Sequence, residues 1–102
     1  MRITTTARHA DVPPELRVRA RALLERVGKV AARTHDARVI FAAEHGRSAV
    51  ELQLHTVRGR VLVARAEAPD HRTALDRAAA RLRRQLDKAT PSRRRARPRR
   101  VR

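Results

Sequence analysis

The sequence contains no cysteine, tryptophan or tyrosine, and its only aromatic residue is Phe41. Without cysteine there is no disulfide framework and no thiolate zinc site. With one aromatic ring, the chain cannot grip single-stranded nucleic acid by stacking successive bases on ring platforms. Its three glycines are scattered, so no glycine-rich loop cradles a phosphate. No apolar run approaches the roughly 20 residues that a membrane span requires, and no signal-peptide core follows Met1. A cytoplasmic setting with no membrane partner is expected. Acids are scarce too: 10 Asp and Glu stand against 26 Lys and Arg, a formal charge of +16.

What is present fits one small domain, since 41% of the 102 residues are hydrophobic. Only Lys29 and Lys88 are lysine; the other 24 basic residues are arginine. Arginine's planar fork matches a phosphate bidentately, so this excess fits contact with a nucleic-acid backbone. A GC-biased genome would also favour arginine over lysine, but it does not explain why acids fail to balance bases. The target implied is the phosphate backbone and shape of a structured nucleic acid.

Charge is divided along the chain. Ser92 to Arg102 carries seven arginines and no acid, with Pro91 and Pro98 opposing a helix. Such a segment cannot bury apolar surface and is expected to be disordered alone. The reading is a folded domain over residues 1–90 and an Arg-rich tail over residues 91–102, with +9 left on residues 1–91.

Within the body, Ile3 to Thr6 is β-branched and reads as a short strand. Pro13-Pro14 suits a helix start, because proline costs nothing in the first turn. Leu16, Ala20, Leu23, Leu24, Val27 and Ala31 then share about 100° of a helical wheel, predicting a helix that fades near Gly28 or a turn beyond. Three strands follow, over Ala37 to Glu44, Ser48 to Thr56 and Val61 to Glu67. The middle one alternates, with Val50, Leu52 and Leu54 on one face and Glu51, Gln53 and His55 on the other, as in an antiparallel strand with one wet face. The last places Leu62, Ala64 and Ala66 inward. Asp70 is a candidate N-cap for a closing helix from about His71 to Lys88. The order β-α-β-β-β-α predicts an α+β fold, a four-stranded sheet with two helices packed on one face.

The closing helix carries the sharpest pattern. With Leu75 at zero on the wheel, Leu82 and Leu86 fall within about 20° and form the core stripe. Arg77, Arg81, Arg84 and Lys88 lie opposite, between about 180° and 240°, as one ridge with no acid in it. Asp76 and Asp87 sit elsewhere, beside Arg72 and Arg83, with which they can pair. A charge run is usually only a solvated face. Yet like charges at i, i+4 repel, and a merely soluble helix would intersperse acids. The first helix adds Arg17, Arg19, Arg21, Arg26 and Lys29, so the two helices together favour binding a polyanion.

Catalysis has little support. Ser48 and Ser92 are the only serines, and His9, His35, His45, His55 and His71 show no metal-ligand spacing. Glu51 and His55 share a strand face, but one such pair does not make an acid/base site. No enzyme, metal, cofactor or small-molecule substrate is expected.

Three stretches resemble the short ribosome hibernation promoting factors, a family that includes the ribosome-associated inhibitor A proteins and carries the older label of sigma-54 modulation proteins. Ile3 to Leu16 (ITTTARHADVPPEL) is similar to the family's opening strand, Gly-Arg-His turn and Thr-Pro helix start. Val50 to Ala66 is similar to its third and fourth strands, with His55 near the strand end. Ala66 to Lys88 (AEAPDHRTALDRAAARLRRQLDK) is similar to its closing segment. The resemblance spans about residues 2 to 89.

The resemblance implies a dsRNA-binding-domain-like fold that enters the small ribosomal subunit, occupies the mRNA and tRNA channel, and inhibits translation in idle, stressed or stationary-phase cells. It further implies rRNA contacts at Arg8 and His9 as well as at Arg77, Arg81, Arg84 and Lys88. Alternatives are a free-standing structured-RNA binder and a regulator that binds an RNA polymerase sigma factor. The family's longer members add a ribosome-pairing domain; this chain is expected to be monomeric off the ribosome and not to pair ribosomes alone. Three positions depart from the family pattern: Ala7 replaces its usual glycine, Pro13 a capping threonine, and Arg72 a frequent tyrosine.

Overall fold

The structure, a computed structural model, describes residues 1–30, 34–57 and 59–89. The expected tail over residues 91–102 lies outside the described residues, as do Ala31 and Arg58. The elements are β1 (Arg2–Arg8), α1 (Pro14–Val30), β2 (Thr34–Glu44), β3 (Arg47–Thr56), β4 (Val61–Ala68) and α2 (His71–Ala89). The architecture is therefore the α+β order β-α-β-β-β-α.

The sheet runs β1-β2-β3-β4, with β1 parallel to β2 and the other neighbours antiparallel. β1 is longer than its β-branched run, because the ladder with β2 recruits Arg2 opposite Asp36 and Arg8 opposite Ala42. β2 likewise begins at Thr34, three residues before the expected Ala37, across an irregularity between Thr34 and Asp36 that faces the end of β3. Pairing partners, not local propensity, decide these ends.

Turns and caps follow local chemistry. His45 and Gly46 both take positive φ (53° and 75°) between paired Glu44 and Arg47, the type I′ geometry that matches strand twist. The positive φ after β1 falls on His9 (53°), while Ala7 is extended within the strand, so its β-carbon meets no turn constraint. At α1, the Pro13 carbonyl accepts from the Leu16 amide at 3.0 Å, a backbone substitute for the missing threonine cap. Asp70 caps α2 as expected, its carboxylate accepting from the Thr73 amide at 2.9 Å.

Both helices pack on one face of the sheet, α2 chiefly over β3 and β4. Val39, Phe41, Val50, Leu52 and Leu54 meet Leu24, Leu75 and Leu82, all fully buried. β4 contributes only small residues inward beyond Leu62, namely Ala64, Ala66 and Ala68, which face Ala74, Ala78 and Ala79 of α2. Small side chains on both sides let α2 settle close to the β4 edge. Its polar flank is thereby brought within reach of the strand's backbone.

Candidate nucleic-acid interface

The two layers carry very different charge. The helices α1 and α2 hold 11 basic and 4 acidic residues, a surplus of +7. The four strands hold 5 basic and 4 acidic residues, a surplus of +1. On the open sheet face, Arg65 pairs with Glu67 at 2.9 Å and with Glu44, and Arg47 lies 3.8 Å from Glu67. The hydrogen bond from Arg65, helped by the nearby positive charges, holds the Glu67 carboxyl below the usual range. The sheet face thus neutralises itself, and the helical layer is the basic surface.

Arg19 of α1 joins the helices. Its Nε and Nη2 donate to the two carboxylate oxygens of Asp76 on α2 at 2.9 and 3.1 Å. The hydrogen bond and the charge of Asp76 raise the pKa of Arg19 further above its ordinary value. Asp76 therefore serves an inter-helix pair instead of pairing with Arg72 on its own helix. The clamp holds the cations of both helices in one layer, with Arg17, Arg21, Arg26, Lys29, Arg72 and Arg83 all exposed.

Arg77, Arg81, Arg84 and Lys88 are all exposed on α2, along the flank beside β4 and not squarely opposite the core. Two members of this ridge have a further task. Arg77 Nη1 donates to the Glu67 carbonyl at 3.1 Å, and Arg81 Nη1 donates to the Arg65 carbonyl at 2.5 Å. Gln85 continues the series, its Nε2 donating to the Val63 carbonyl at 2.6 Å. Helix positions spaced by four meet strand positions spaced by two, because one helical turn rises about 5.4 Å and two strand residues about 6.7 Å. Each guanidinium commits one of its five N–H donors, leaving the others for a phosphate. Gln85 carries no charge, so only its i+4 spacing from Arg81 marks it in the sequence.

Arg8 and His9 stand apart from this ridge. Arg8 ends β1 and lines a concavity of about 190 Å³ on the open sheet face, together with Arg38, Glu44, Glu51 and Arg65. His9 is exposed in the turn that follows. β1 and β4 are opposite edges of the sheet, about 14 Å apart at three strand spacings. The structure thus brings four expected contact residues together and places the other two across the molecule. Among the described residues no group of three or more His, Asp or Glu could hold a metal ion, and no helix is long and apolar enough to cross a membrane.

Comparison with solved structures returns the same architecture. The chain is similar to a ribosomal subunit interface protein from Coxiella burnetii, with a TM-score of 0.81 and 24% identity over 90% of this chain and 100% of that one. It is similar also to the N-terminal domain of Protein Y from Thermus thermophilus, with a TM-score of 0.74 and 22% identity over 87% of this chain and 99% of that one. No curated protein sequence matches it. The match that settles kinship is one of sequence and extends from β1 past the end of α2, over residues 3–94. On that match, the chain belongs to the family described as sigma 54 modulation protein / S30EA ribosomal protein.

Proposed function

We propose that this protein is a ribosome hibernation factor, a non-enzymatic cytoplasmic protein that binds the small ribosomal subunit in its mRNA and tRNA channel and inhibits translation in idle cells. The observation that carries the reading is the charge division, +7 on the helical layer against +1 on the strands, in a member of a ribosomal-protein family. Phosphates are met by guanidinium groups already fixed on a rigid scaffold, and no base is read by stacking. The separation of Arg8 and His9 from the α2 ridge supports a channel over a free duplex. One duplex lying against the helical layer would not also meet Arg8, whose side chain lines the open sheet face, whereas RNA walls on two sides would.

The experiment is co-sedimentation with small ribosomal subunits. Replacing Arg77, Arg81 and Arg84 together with Glu is expected to abolish co-sedimentation and to relieve inhibition of translation in vitro. Retained co-sedimentation would remove the ridge from the mechanism. Equal affinity of the unaltered protein for a plain RNA duplex and for small subunits would favour a free-standing RNA binder. Binding to a sigma factor that survives the triple replacement would favour transcriptional regulation.

A further inference from the structure

The two edges of the sheet are finished differently. At β4, donors from Arg77, Arg81 and Gln85 occupy three outward carbonyls. At β1, pairing with β2 engages one side of the strand and turns the remaining backbone groups outward. Among the described residues no side chain donates to that outer row of β1, and the loops make no backbone hydrogen bond to it. The usual protections of an exposed edge are lacking as well. From Ile3 to Ala7 the strand has no charge, no proline and no register shift.

Beside this edge, α1 leaves a shallow groove of about 170 Å³ lined by Ile3, Thr5, Arg17, Val18 and Arg21. Val18 is 68% exposed, the highest value among the large hydrophobic residues described. Arg17 and Arg21, one helical turn apart, flank it, and both are exposed. An apolar spot between two cations thus adjoins an open strand edge.

We propose that the β1 edge accepts an extended acidic segment of a partner protein as a fifth strand. Main-chain hydrogen bonds to β1 would supply affinity, while alternate side chains of the segment enter the groove. An apolar side chain there covers Val18 and Ile3, and carboxylates on its neighbours in that face meet Arg17 and Arg21. The chemistry disfavours other occupants. A strand edge presents as many carbonyl acceptors as N–H donors, whereas a phosphate backbone only accepts. The Arg-rich residues 92–102 of this chain carry the wrong charge, and a second copy would bring two sets of Arg2, Arg8, Arg17 and Arg21 together. The site uses none of the α2 ridge; it shares Arg17 and Arg21 with the basic helical layer, but its test reads β1 amides, so its failure would leave the ribosomal reading standing.

The test uses the isotopically labelled full chain and the acetylated, amidated peptide TETVTETV, followed by amide shifts and hydrogen exchange. Comparison peptides are TKTVTKTV and a TETVTETV N-methylated on the amides that would face β1. The expected result is shifted and protected amides within Arg2–Arg8, no binding of the lysine peptide, and at least about tenfold weaker binding after N-methylation, which removes backbone donors. Arg17→Glu with Arg21→Glu is expected to reverse the preference, so that the lysine peptide binds and the glutamate peptide does not. Equal binding of the N-methylated peptide, or shifts confined to α2, would overturn the proposal in favour of simple charge attraction. Protection of the same β1 amides by a single-stranded RNA octamer would overturn it in favour of an RNA surface.

Discussion

Salt dependence provides the most direct measure of the α2 ridge. Each phosphate neutralised by a cation contributes about −0.9 to the slope of log K against log salt on a duplex. Engagement of six to ten phosphates predicts that affinity falls about 10³- to 10⁵-fold between 50 and 200 mM salt. Replacing Arg77, Arg81, Arg84 and Lys88 with Gln is expected to make the slope shallower by about 3.6, so that the same salt change costs about 150-fold less. The charge-matched control replaces Arg2, Arg38, Arg47 and Arg60, three on the strands and one beside β4. It removes the same four charges and is expected to leave the slope nearly unchanged. The two half-variants, Arg77→Gln with Arg81→Gln and Arg84→Gln with Lys88→Gln, should each account for about half the effect, because binding a strand carbonyl uses one donor per guanidinium. The assay is anisotropy of the labelled protein titrated with small ribosomal subunits over that salt range. Equal slope changes in the ridge variant and the control would refute the argument, showing that bulk charge acts and the ridge does not.

Three further outcomes follow from the fold. Leu82→Ala removes a fully buried side chain at the α2–sheet contact, an expected cost of about 3 kcal/mol, or roughly 12–24 °C in Tm by calorimetry. Gly28→Ala places a β-carbon 2.8 Å from the Met1 methyl, a flexible side-chain end that can move aside; the gain in helix propensity should dominate and raise stability by up to about 1 kcal/mol in urea titration. Asp70 is held below its ordinary pKa first by the hydrogen bond from the Thr73 amide. A depressed folded pKa gives stability that is complete above the unfolded value near 4 and is lost as pH falls through the folded value. Glu67, depressed by Arg65, has the same sign. Circular dichroism between about pH 2 and 5 should therefore show acid destabilisation that is smaller in Asp70→Asn, which keeps a cap acceptor but does not titrate.

The parts of this fold legible in advance are those governed by short periods. Alternation placed Val50, Leu52 and Leu54 inward, and all three are fully buried. The helical wheel places Leu75, Leu82 and Leu86 in the core and the four cations outside it, and all four are exposed, but Arg77 and Arg81 turn back to the β4 edge instead of standing opposite the core. The partnerships were less accessible, because they depend on which elements lie side by side. Asp76 is beside Arg72 on the wheel, yet its carboxylate is taken by Arg19, 57 residues away, once α1 lies against α2. Strand ends depart from local propensity for a related reason. His35 and Asp36 do not favour a strand locally, and the segment is extended by its pairing with β3 and β1. The resemblance grouped Arg8 and His9 with the ridge by role; only the sheet order shows that they occupy the opposite edge.

The β4 carbonyls also resolve a difficulty in the ridge itself. Four cations at helical spacing repel, and the cost is a few tenths of a kcal/mol per i, i+4 pair without compensation. The carbonyl oxygens of Glu67 and Arg65 place partial negative charge against Arg77 and Arg81, offsetting that repulsion before any polyanion arrives. The same bonds restrict two long side chains, so less rotamer entropy is left to lose when a phosphate binds. They also cover an edge strand whose open face exposes Val61 and Val63. Arginine suits these two positions better than lysine: its planar fork holds a carbonyl and still presents donors outward, whereas an ammonium is a point charge. A composition that could be attributed to codon bias therefore has, at Arg77 and Arg81, a geometric reason to be arginine.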